Sequence, residues 1–456
     1  MVAAGWNTVA GELGAWCVIL QEMNSHSPDI PPSKLVSALR GFNLLPAIVF
    51  LPTRRKCDEA ASEVALDKSQ RAEPERQTKR QEIFDAFAAE FPEVAGHKHS
   101  KVIVRAGVAA HHAGHIPSWK LLIERMMSAG LLNALFATST VAAGVDFPAR
   151  SVVISNADTR GNDGWRALTA SELQQMTGRA GRRGRDNVGF VVLAPGQFQN
   201  PKKIAELLSS KPDPLESRFR ATYTSLLNLL DAFGNFAQVR EIAERSFAFR
   251  ESRRMSADSR GVDGAEMLSD QIWEPFERRA KVLDHFGYLD FDGEKVTETG
   301  KWLADLRIDR PLLVGEGLSQ GVFDDLKISE AAGLMASVAS DADRSYGEMR
   351  ASRRMTDILA NFEDLVVAVS NIEYKNRVEP AEEINYSAAA AAERWTAGMD
   401  WDELVMRTRA EEGDLVRLLS RTGEALRQLA NLRNSNPTAA AIAQAASEAI
   451  LREPVR

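Results

Sequence analysis

The sequence has little cysteine, no excess of positive charge and no long hydrophobic run. Only two cysteines, Cys17 and Cys57, occur among 456 residues, which excludes a disulfide scaffold and a four-cysteine zinc site. The formal net charge is −7, so the chain is not a polycation that coats nucleic acid or anionic membrane through bulk charge. The ~18 consecutive apolar residues of a membrane-spanning helix are also missing. We therefore expect a soluble, cytoplasmic protein with no membrane partner.

The first part of the chain has the pattern of an α/β domain. Short apolar, β-branched runs alternate with helical segments between residues 41 and 204. The predicted strands are Leu44 to Pro52, Lys101 to His112, Asn133 to Ser139, Ser151 to Ser155 and Val188 to Pro195. This alternation predicts a doubly wound parallel sheet. Residues 1–40, which include a proline-rich stretch, are predicted to form a linker that enters this domain.

The second part of the chain is predicted to be mostly helical. Residues 205–308 combine helices, a polar connection at 251–272 and a hairpin signal at Asp292-Gly293, which together predict a winged-helix unit. Residues 309–456 are predicted to form an all-α helical bundle. Its alanine runs at 388–392 and 439–446 favour close helix packing.

The strongest chemical signal is an arginine-rich and glycine-rich segment from Gln175 to Arg185. It holds four arginines and three glycines in eleven residues, a composition that favours anion binding. Arg179 and Arg182 are three residues apart, so on a helical turn they share a face and their guanidinium groups can grip phosphate oxygens. The alternative interpretation is a solvated basic loop.

Hydroxyl side chains at the end of a predicted strand give a second signal. Thr138, Ser139 and Thr140 end this strand, and Gly144 and Asp146 follow. Ligands of open α/β sheets bind at the carboxyl ends of the strands, where hydroxyl and N–H groups meet phosphates. The same residues could instead cap a helix.

Three histidines, His111, His112 and His115, suggest a metal site, because two of them could share a helical face. No acidic residue or cysteine lies within a few positions to complete such a site, so we predict no metal. Trp119 and Trp165 are interpreted as packing residues.

In combination these segments resemble the C-terminal half of the superkiller-type DExH-box RNA helicases of superfamily two. The matching segments are LLPAIVFLPTRRKCDEAA, GVAAHHAGHIPSWKLLIERMMSAGLLNALFATSTVAAGVDFPARSVV and LTASELQQMTGRAGRRGRDNVGF. The resemblance continues through the hairpin region and into EEGDLVRLLSRTGEALRQLANL. It implies that residues 41–204 are a second RecA-like domain, 205–308 a winged helix and 309–456 a ratchet-like helical domain. Residues 1–40 would then follow a first motor domain.

The resemblance also implies roles for individual residues. ATP would lie between two RecA-like domains, with this chain contributing one wall of the site. The residues expected to face the nucleotide are Gln175, Arg179, Arg182, Gly144 and Asp146. Arg182 is the expected arginine finger, so neither it nor Arg179 should be held by carboxylates of its own domain. The residues expected to contact single-stranded RNA are Thr138, Ser139, Thr140, His112, Arg417 and Arg421.

The sequence departs from a complete motor because it contains neither GxxxxGK[ST] nor a DExH segment. Those elements cradle the triphosphate and hold Mg²⁺, so both would come from the first motor domain as a partner. We expect no ATP hydrolysis by this chain alone. The alternative is an ATP-independent nucleic-acid-binding adaptor derived from a helicase, and a nucleotide-sugar enzyme on a doubly wound sheet is a third possibility. RNA and DNA are both open as substrates, since phosphate contacts are blind to sequence.

Overall fold

A computed structural model of the chain describes residues 2–4, 15–19, 28–70, 74–142, 147, 149–161, 164–215, 217, 220–246, 263–340, 344–380 and 383–456. The chain divides into two compact units, Met1–Pro214 and Leu215–Arg456. The predicted boundary at residue 204 lies ten residues earlier, within a helix that packs against the first unit. Among the described residues, no helix combines the length and apolar character needed to cross a membrane.

The first unit alternates strands and helices as predicted. Its strands are β1 Val2–Ala4, β2 Ala15–Ile19, β3 Ala47–Phe50, β4 Val108–His111, β5 Ala134–Ala137, β6 Ser151–Ile154, β7 Asp158–Gly161, β8 Gly164–Ala167 and β9 Gly189–Leu193. Its helices are α1 Pro32–Gly41, α2 Arg54–Leu66, α3 Pro74–Glu90, α4 Ser100–Ala106, α5 Pro117–Ser128, α6 Ala170–Thr177 and α7 Pro201–Ser209. A 3₁₀ turn, Ser139–Ala142, follows β5.

The main sheet has the order β1-β2-β9-β6-β3-β5-β4. The five strands from β9 to β4 are parallel, β2 is parallel to β9, and β1 is antiparallel to β2. The strand residues of β3, β4, β5 and β6 are all buried, which explains why these segments are short, continuous apolar runs. The predicted α/β class is confirmed. Parallel strands also place the segments that follow β3, β4, β5 and β6 at one edge of the sheet.

The described parts of residues 1–40, which are predicted to form a linker, join the sheet and its core. Strand β2 pairs with β9, and α1 begins at Pro32 and buries Leu35, Val36 and Leu39 in the same core as α2 and the sheet. A proline at the first helical position lacks only an N–H that would have no partner in the helix, so it starts a helix without cost.

Residues 101–106 also differ from the prediction, because they form helix α4 rather than the start of a strand. The helix ends at Gly107, which has a φ of 63°, and β4 begins at the next residue. Packing of Ile103, Val104 and Ala106 into the core outweighs the strand preference of the β-branched residues.

The second unit is mostly helical. Its helices are α8 Tyr223–Phe233, α9 Phe236–Glu244, α10 Asp263–His285, α11 Glu298–Asp305, α12 Pro311–Ser319, α13 Ile328–Ala339, α14 Arg353–Lys375, α15 Tyr386–Thr396, α16 Trp401–Thr408, α17 Glu412–Ala430 and α18 Pro437–Ile450. The hairpin predicted at Asp292-Gly293 is confirmed: β10 Leu289–Asp290 pairs with β11 Lys295–Val296. Residues 263–272 of the predicted connection are helical, and residues 251–262 lie outside the described part of the chain.

Helix α13 lies at the centre of the last part of this unit. It packs against α15, α17 and α18, and its residues from Glu330 to Ala339 are all buried. The alanine run Ala388–Ala392 is buried as well, so these small side chains allow the close helix packing predicted for them.

Candidate functional site

The hydroxyl segment lies at the carboxyl end of β5, as the sequence predicts. Strand β5 ends at Ala137, and the 3₁₀ turn Ser139–Ala142 follows. The hydroxyls of Thr138 and Thr140 lie 2.9 Å apart and bond to each other, while both residues stay accessible at the sheet edge. Gly144 and Asp146 lie outside the described residues.

The arginine-rich segment meets this turn through Arg179. Helix α6 begins with a capping box between Thr169 and Glu172, and Gln175 is exposed on its last turn. Beyond the helix, Nε and Nη2 of Arg179 donate hydrogen bonds of 3.0 and 2.6 Å to the carbonyl oxygen of Ala142. The fold therefore joins the two segments that the sequence indicated separately into one edge of the sheet.

The backbone after Arg179 runs close against the sheet. The N–H of Gly181 donates to the carbonyl of Ala149 at 2.7 Å, and Gly181 has a φ of 92°. A Cβ atom at Gly189 would lie 2.7 Å from the nitrogen of Gly181 and closer still to the carbonyl of Ala180. Glycine at position 189 is what allows this close approach.

Arg182 is held by a carboxylate of its own unit, so the expectation that it projects freely is wrong. Its Nε and Nη2 donate to the two carboxylate oxygens of Asp186 at 2.7 and 2.9 Å, and its backbone N–H donates at 3.0 Å. Arg150 adds a third side-chain contact at 3.1 Å. The Asp186 side chain is only 1% exposed, and the hydrogen bonds from Arg182 lower its pKa to about 2. This bidentate clasp closes the loop from Arg182 to Asp186.

We expect Arg182→Ala to lower the free energy of unfolding by about 2 kcal/mol, because it leaves a buried carboxylate with only Arg150 and the backbone N–H of residue 182 as partners. Adding Asp186→Asn should recover part of that loss, since the unpaired charge is removed. Urea unfolding measures both effects. Because the pKa of Asp186 is near 2, its contribution is fully present above its unfolded pKa of ~3.9 and is lost only as the pH falls toward 2. The loss should therefore be equal at pH 6 and pH 8.

The matched control for this prediction is Arg183→Ala, because Arg183 is exposed in the same loop and should change stability by less than ~0.5 kcal/mol. An Arg182→Ala variant as stable as the wild type would show that the clasp contributes nothing.

A hairpin beside the site carries an exposed aromatic residue that sequence reasoning misassigned. Strand β7 pairs with β8, and Trp165 on β8 is 58% exposed, so its interpretation as a packing residue is wrong. Arg160 is exposed on β7, and Arg166 bonds to Glu172 of α6 at 2.8 Å. Arginines next to an exposed tryptophan suit stacking and charge contacts with a single strand. The Gly-Asn-Asp-Gly run before Trp165 is typical of a hairpin turn and is the sequence signal for an exposed position here.

His112 is predicted to contact single-stranded RNA, but its side chain is buried and is not available to a nucleic acid. Its Nε2 lies 3.1 Å from Oδ1 of Asp58 on α2, where His99 and His115 also converge. Burial alone would raise the pKa of Asp58, but the hydrogen bonds from these three histidines and Lys98 outweigh it and hold the pKa well below its usual range. Burial lowers the pKa of His115 to about 4. No acid lies near the histidines in sequence, but the fold brings Asp58 to them from 54 residues before His112.

The two predicted nucleic-acid contacts of the second unit lie on α17. Arg417 is 48% exposed, and its Nη1 lies 3.9 Å from a carboxylate oxygen of Asp414. Arg421 pairs with Asp309, with Nε to Oδ2 at 2.9 Å, and both side chains are well exposed. Exposed ion pairs contribute ~0 to 1 kcal/mol, so Arg421 can exchange Asp309 for a phosphate at little cost.

Comparisons with known proteins identify a matching domain family and several similar proteins. Residues 293–456 match the family model described as the DSHCT (NUC185) domain. The chain is 33% identical over 269 residues to human Superkiller complex protein 2, an alignment that covers 58% of this chain and 21% of that protein.

Two further relatives give the same picture. The chain is 39% identical over 196 residues to the DExH-box ATP-dependent RNA helicase DExH15 chloroplastic of Arabidopsis thaliana, covering 42% of the chain and 16% of that protein. It is 31% identical over 249 residues to the Probable helicase HelY of Mycobacterium tuberculosis, covering 53% of the chain and 27% of that protein. The chain thus spans about a quarter or less of these relatives' length.

Proposed function

We propose a function from the premise that this chain corresponds to a C-terminal part of a superkiller-type DExH-box superfamily-two RNA helicase. The proposed function is that of a half-motor, which supplies one wall of an ATP site and part of a path for single-stranded RNA. The observation that carries the proposal is the pair of hydrogen bonds from Arg179 to Ala142, which joins the arginine-rich segment to the hydroxyl turn. Residues 41–204 act in this proposal as the second RecA-like domain.

The nucleotide-facing role rests on Gln175 and Arg179. Gln175 is exposed on α6, and Arg179 is held by a neutral carbonyl rather than by a carboxylate. No carboxylate among the described residues pairs with Arg179, and a guanidinium in that state attracts the oxygens of a triphosphate and stabilises the charge that spreads over them during transfer. Arg182 acts there only after it exchanges Asp186 for a phosphate. A partner domain would complete the binding site for ATP and Mg²⁺, because this sequence contains no GxxxxGK[ST].

The RNA path is proposed from features of each unit separately. In the first unit, the hydroxyls at Thr138 and Thr140 and the exposed ring of Trp165 offer phosphate contacts and a stacking surface. In the second unit, Arg417 and Arg421 lie one turn apart on α17 and take the role of the ratchet helix. Residues 205–308 would act as the winged helix and 309–456 as the ratchet-like domain. A cytoplasmic location belongs to the same proposal.

We expect the double variant Arg417→Ala/Arg421→Ala to bind a 20-nucleotide single-stranded RNA about 10-fold more weakly than the wild type. Loss of two phosphate contacts should also reduce the slope of log K against log salt by about 1.4, at ~0.7 per contact. Fluorescence anisotropy at several salt concentrations measures both quantities.

The control for the RNA experiment is Arg427→Ala, later on the same helix, whose guanidinium is exposed and pairs with Glu424 at 3.6 Å. It should leave the slope unchanged. Equal losses for Arg427→Ala and for the double variant would mean that binding depends on overall charge and not on the proposed pair. A parallel titration with DNA of the same sequence tests whether 2′-hydroxyls contribute.

One observation favours a second candidate function, that of an ATP-independent nucleic-acid adaptor. The clasp of Asp186 on Arg182 keeps that arginine from a nucleotide in this structure. An adaptor would bind RNA as above, and ATP hydrolysis with a partner domain would not depend on Arg179.

A further inference from the structure

The cluster around Asp58 is not needed for the proposed function, and its geometry is unusual for a set of hydrogen bonds. Three histidine Nε2 atoms, from His99, His112 and His115, lie 2.8, 3.1 and 3.2 Å from the single oxygen Oδ1 of Asp58. The second oxygen, Oδ2, pairs with Lys98 at 2.8 Å. One carboxylate oxygen thus faces three imidazole nitrogens that come from two separate segments of the chain.

Part of the cluster has the spacing of metal ligands. Zinc binds histidine nitrogen and carboxylate oxygen at ~2.0 to 2.2 Å, so neighbouring ligand atoms around it are about 3.3 Å apart. The three oxygen-to-nitrogen distances lie close to this value. One ligand atom each from Asp58, His112 and His115 lies within 4.8 Å of the other two, whereas His99, which reaches the same carboxylate oxygen, is not in this group.

Burial of the cluster also favours a bound ion. His99, His112 and His115 are each 3% exposed or less, while the Asp58 side chain is 17% exposed and leaves a path for entry. Within the described part of the chain, Nδ1 of His99 and of His115 has no hydrogen-bond partner. Because the Nε2 atoms are the ones that face Asp58, these Nδ1 atoms are unpaired with or without an ion, and the inference rests on the convergence of the three Nε2 atoms.

We infer that Asp58, His99, His112 and His115 form a binding site for a divalent transition metal, with Zn²⁺ the ion that fits best. Imidazole nitrogens with one carboxylate select zinc over calcium and magnesium, which prefer oxygen ligands. With His99 drawn in as the fourth ligand, the site is closed and structural rather than catalytic. The ion joins α2, the segment before α4 and the segment after β4. It thereby stabilises the edge of the sheet beside β5, the strand that leads into the hydroxyl turn.

One contact must change when the metal binds. The N–H of Gly114 donates to Nδ1 of His112 at 3.1 Å, which places the proton of this neutral ring on Nε2. Coordination through Nε2 moves that proton to Nδ1, so the Gly114 contact breaks and the turn from His112 to His115 adjusts.

The test uses the full chain without a histidine tag, stripped with a chelator and titrated with Zn²⁺ by calorimetry, with Co²⁺ as a visible spectroscopic probe. We expect one ion per chain, a Kd below ~10⁻⁸ M and tetrahedral Co²⁺ absorption bands. Asp58→Asn and His115→Gln should each weaken binding by about 100-fold or more. The control His285→Gln changes an exposed histidine of the second unit and should leave affinity unchanged.

The competing account is a cluster held together by hydrogen bonds alone. In that case calorimetry shows less than ~0.1 ion per chain, or His115→Gln binds zinc as tightly as the wild type, and either result overturns the inference. Should Asp58→Asn fail to fold, His115→Gln and His99→Gln decide the question, because glutamine keeps a hydrogen-bond donor but removes the imidazole ligand.

Discussion

Replacing Arg179 by alanine is expected to lower RNA-stimulated ATP hydrolysis about 10³-fold when this chain works with a first motor domain that carries GxxxxGK[ST] and DExH segments. The reason is that phosphoryl transfer spreads charge over oxygens that a positioned guanidinium stabilises. The measurement is the steady-state rate at saturating RNA and ATP. The loss should fall mainly on kcat, because the contact strengthens in the transition state.

Structural damage must be separated from lost catalysis, because Arg179 also donates two hydrogen bonds to Ala142. The unfolding temperature and RNA affinity of Arg179→Ala should therefore be measured beside its rate. Arg179→Lys keeps the charge but loses the planar fork, so its rate should lie between those of alanine and arginine. Arg55→Ala, an exposed arginine on α2, serves as the control. A full rate for Arg179→Ala would remove Arg179 from the nucleotide site.

The second large effect is expected from Gly189→Ala, which should destabilise the first unit by ~3 kcal/mol or more. A methyl group at this position would clash with the backbone of Ala180 and Gly181. Backbone atoms cannot relieve the clash by a change of rotamer, as a flexible side chain could. The variant should therefore also displace the arginine-rich segment from the sheet edge. Urea unfolding measures the stability, and ATP hydrolysis with the partner domain measures the displacement.

Gly96→Ala is the matched control for Gly189→Ala, because a Cβ atom at Gly96 meets nothing within 4 Å and its φ is not in the left-handed region. It should cost less than ~0.5 kcal/mol. If Gly189→Ala were as stable as Gly96→Ala, the close approach of residues 180 and 181 to β9 would be wrong.

The strands of the sheet could be predicted from sequence because buried parallel strands are short apolar runs between turns. Two elements could not be. The prolines of residues 1–40 predict a linker, although Pro32 starts a helix. The run from Lys101 to Ala106 is rich in β-branched residues, but tertiary packing makes it a helix.

The candidate site shows a second limit, because side chains find partners that local windows omit. The arginine-rich segment that composition identifies ends at Arg185, one residue before the Asp186 that binds Arg182. The lack of an acid near the histidines in sequence predicts no metal, yet α2 brings Asp58 to the histidines. The i,i+4 spacing of Arg182 and Asp186 was visible in the sequence, whereas the placement of Asp58 requires the fold.

The central claim is that this chain supplies one wall of an ATP site and needs a second domain for the other. The direct measurement is RNA-stimulated ATP hydrolysis by the 456-residue chain alone, by a first motor domain alone and by their mixture. The account predicts that only the mixture turns over ATP with RNA stimulation, and that Arg179→Ala abolishes the gain. ATP hydrolysis by the chain alone, or a mixture no faster than its parts, would contradict it.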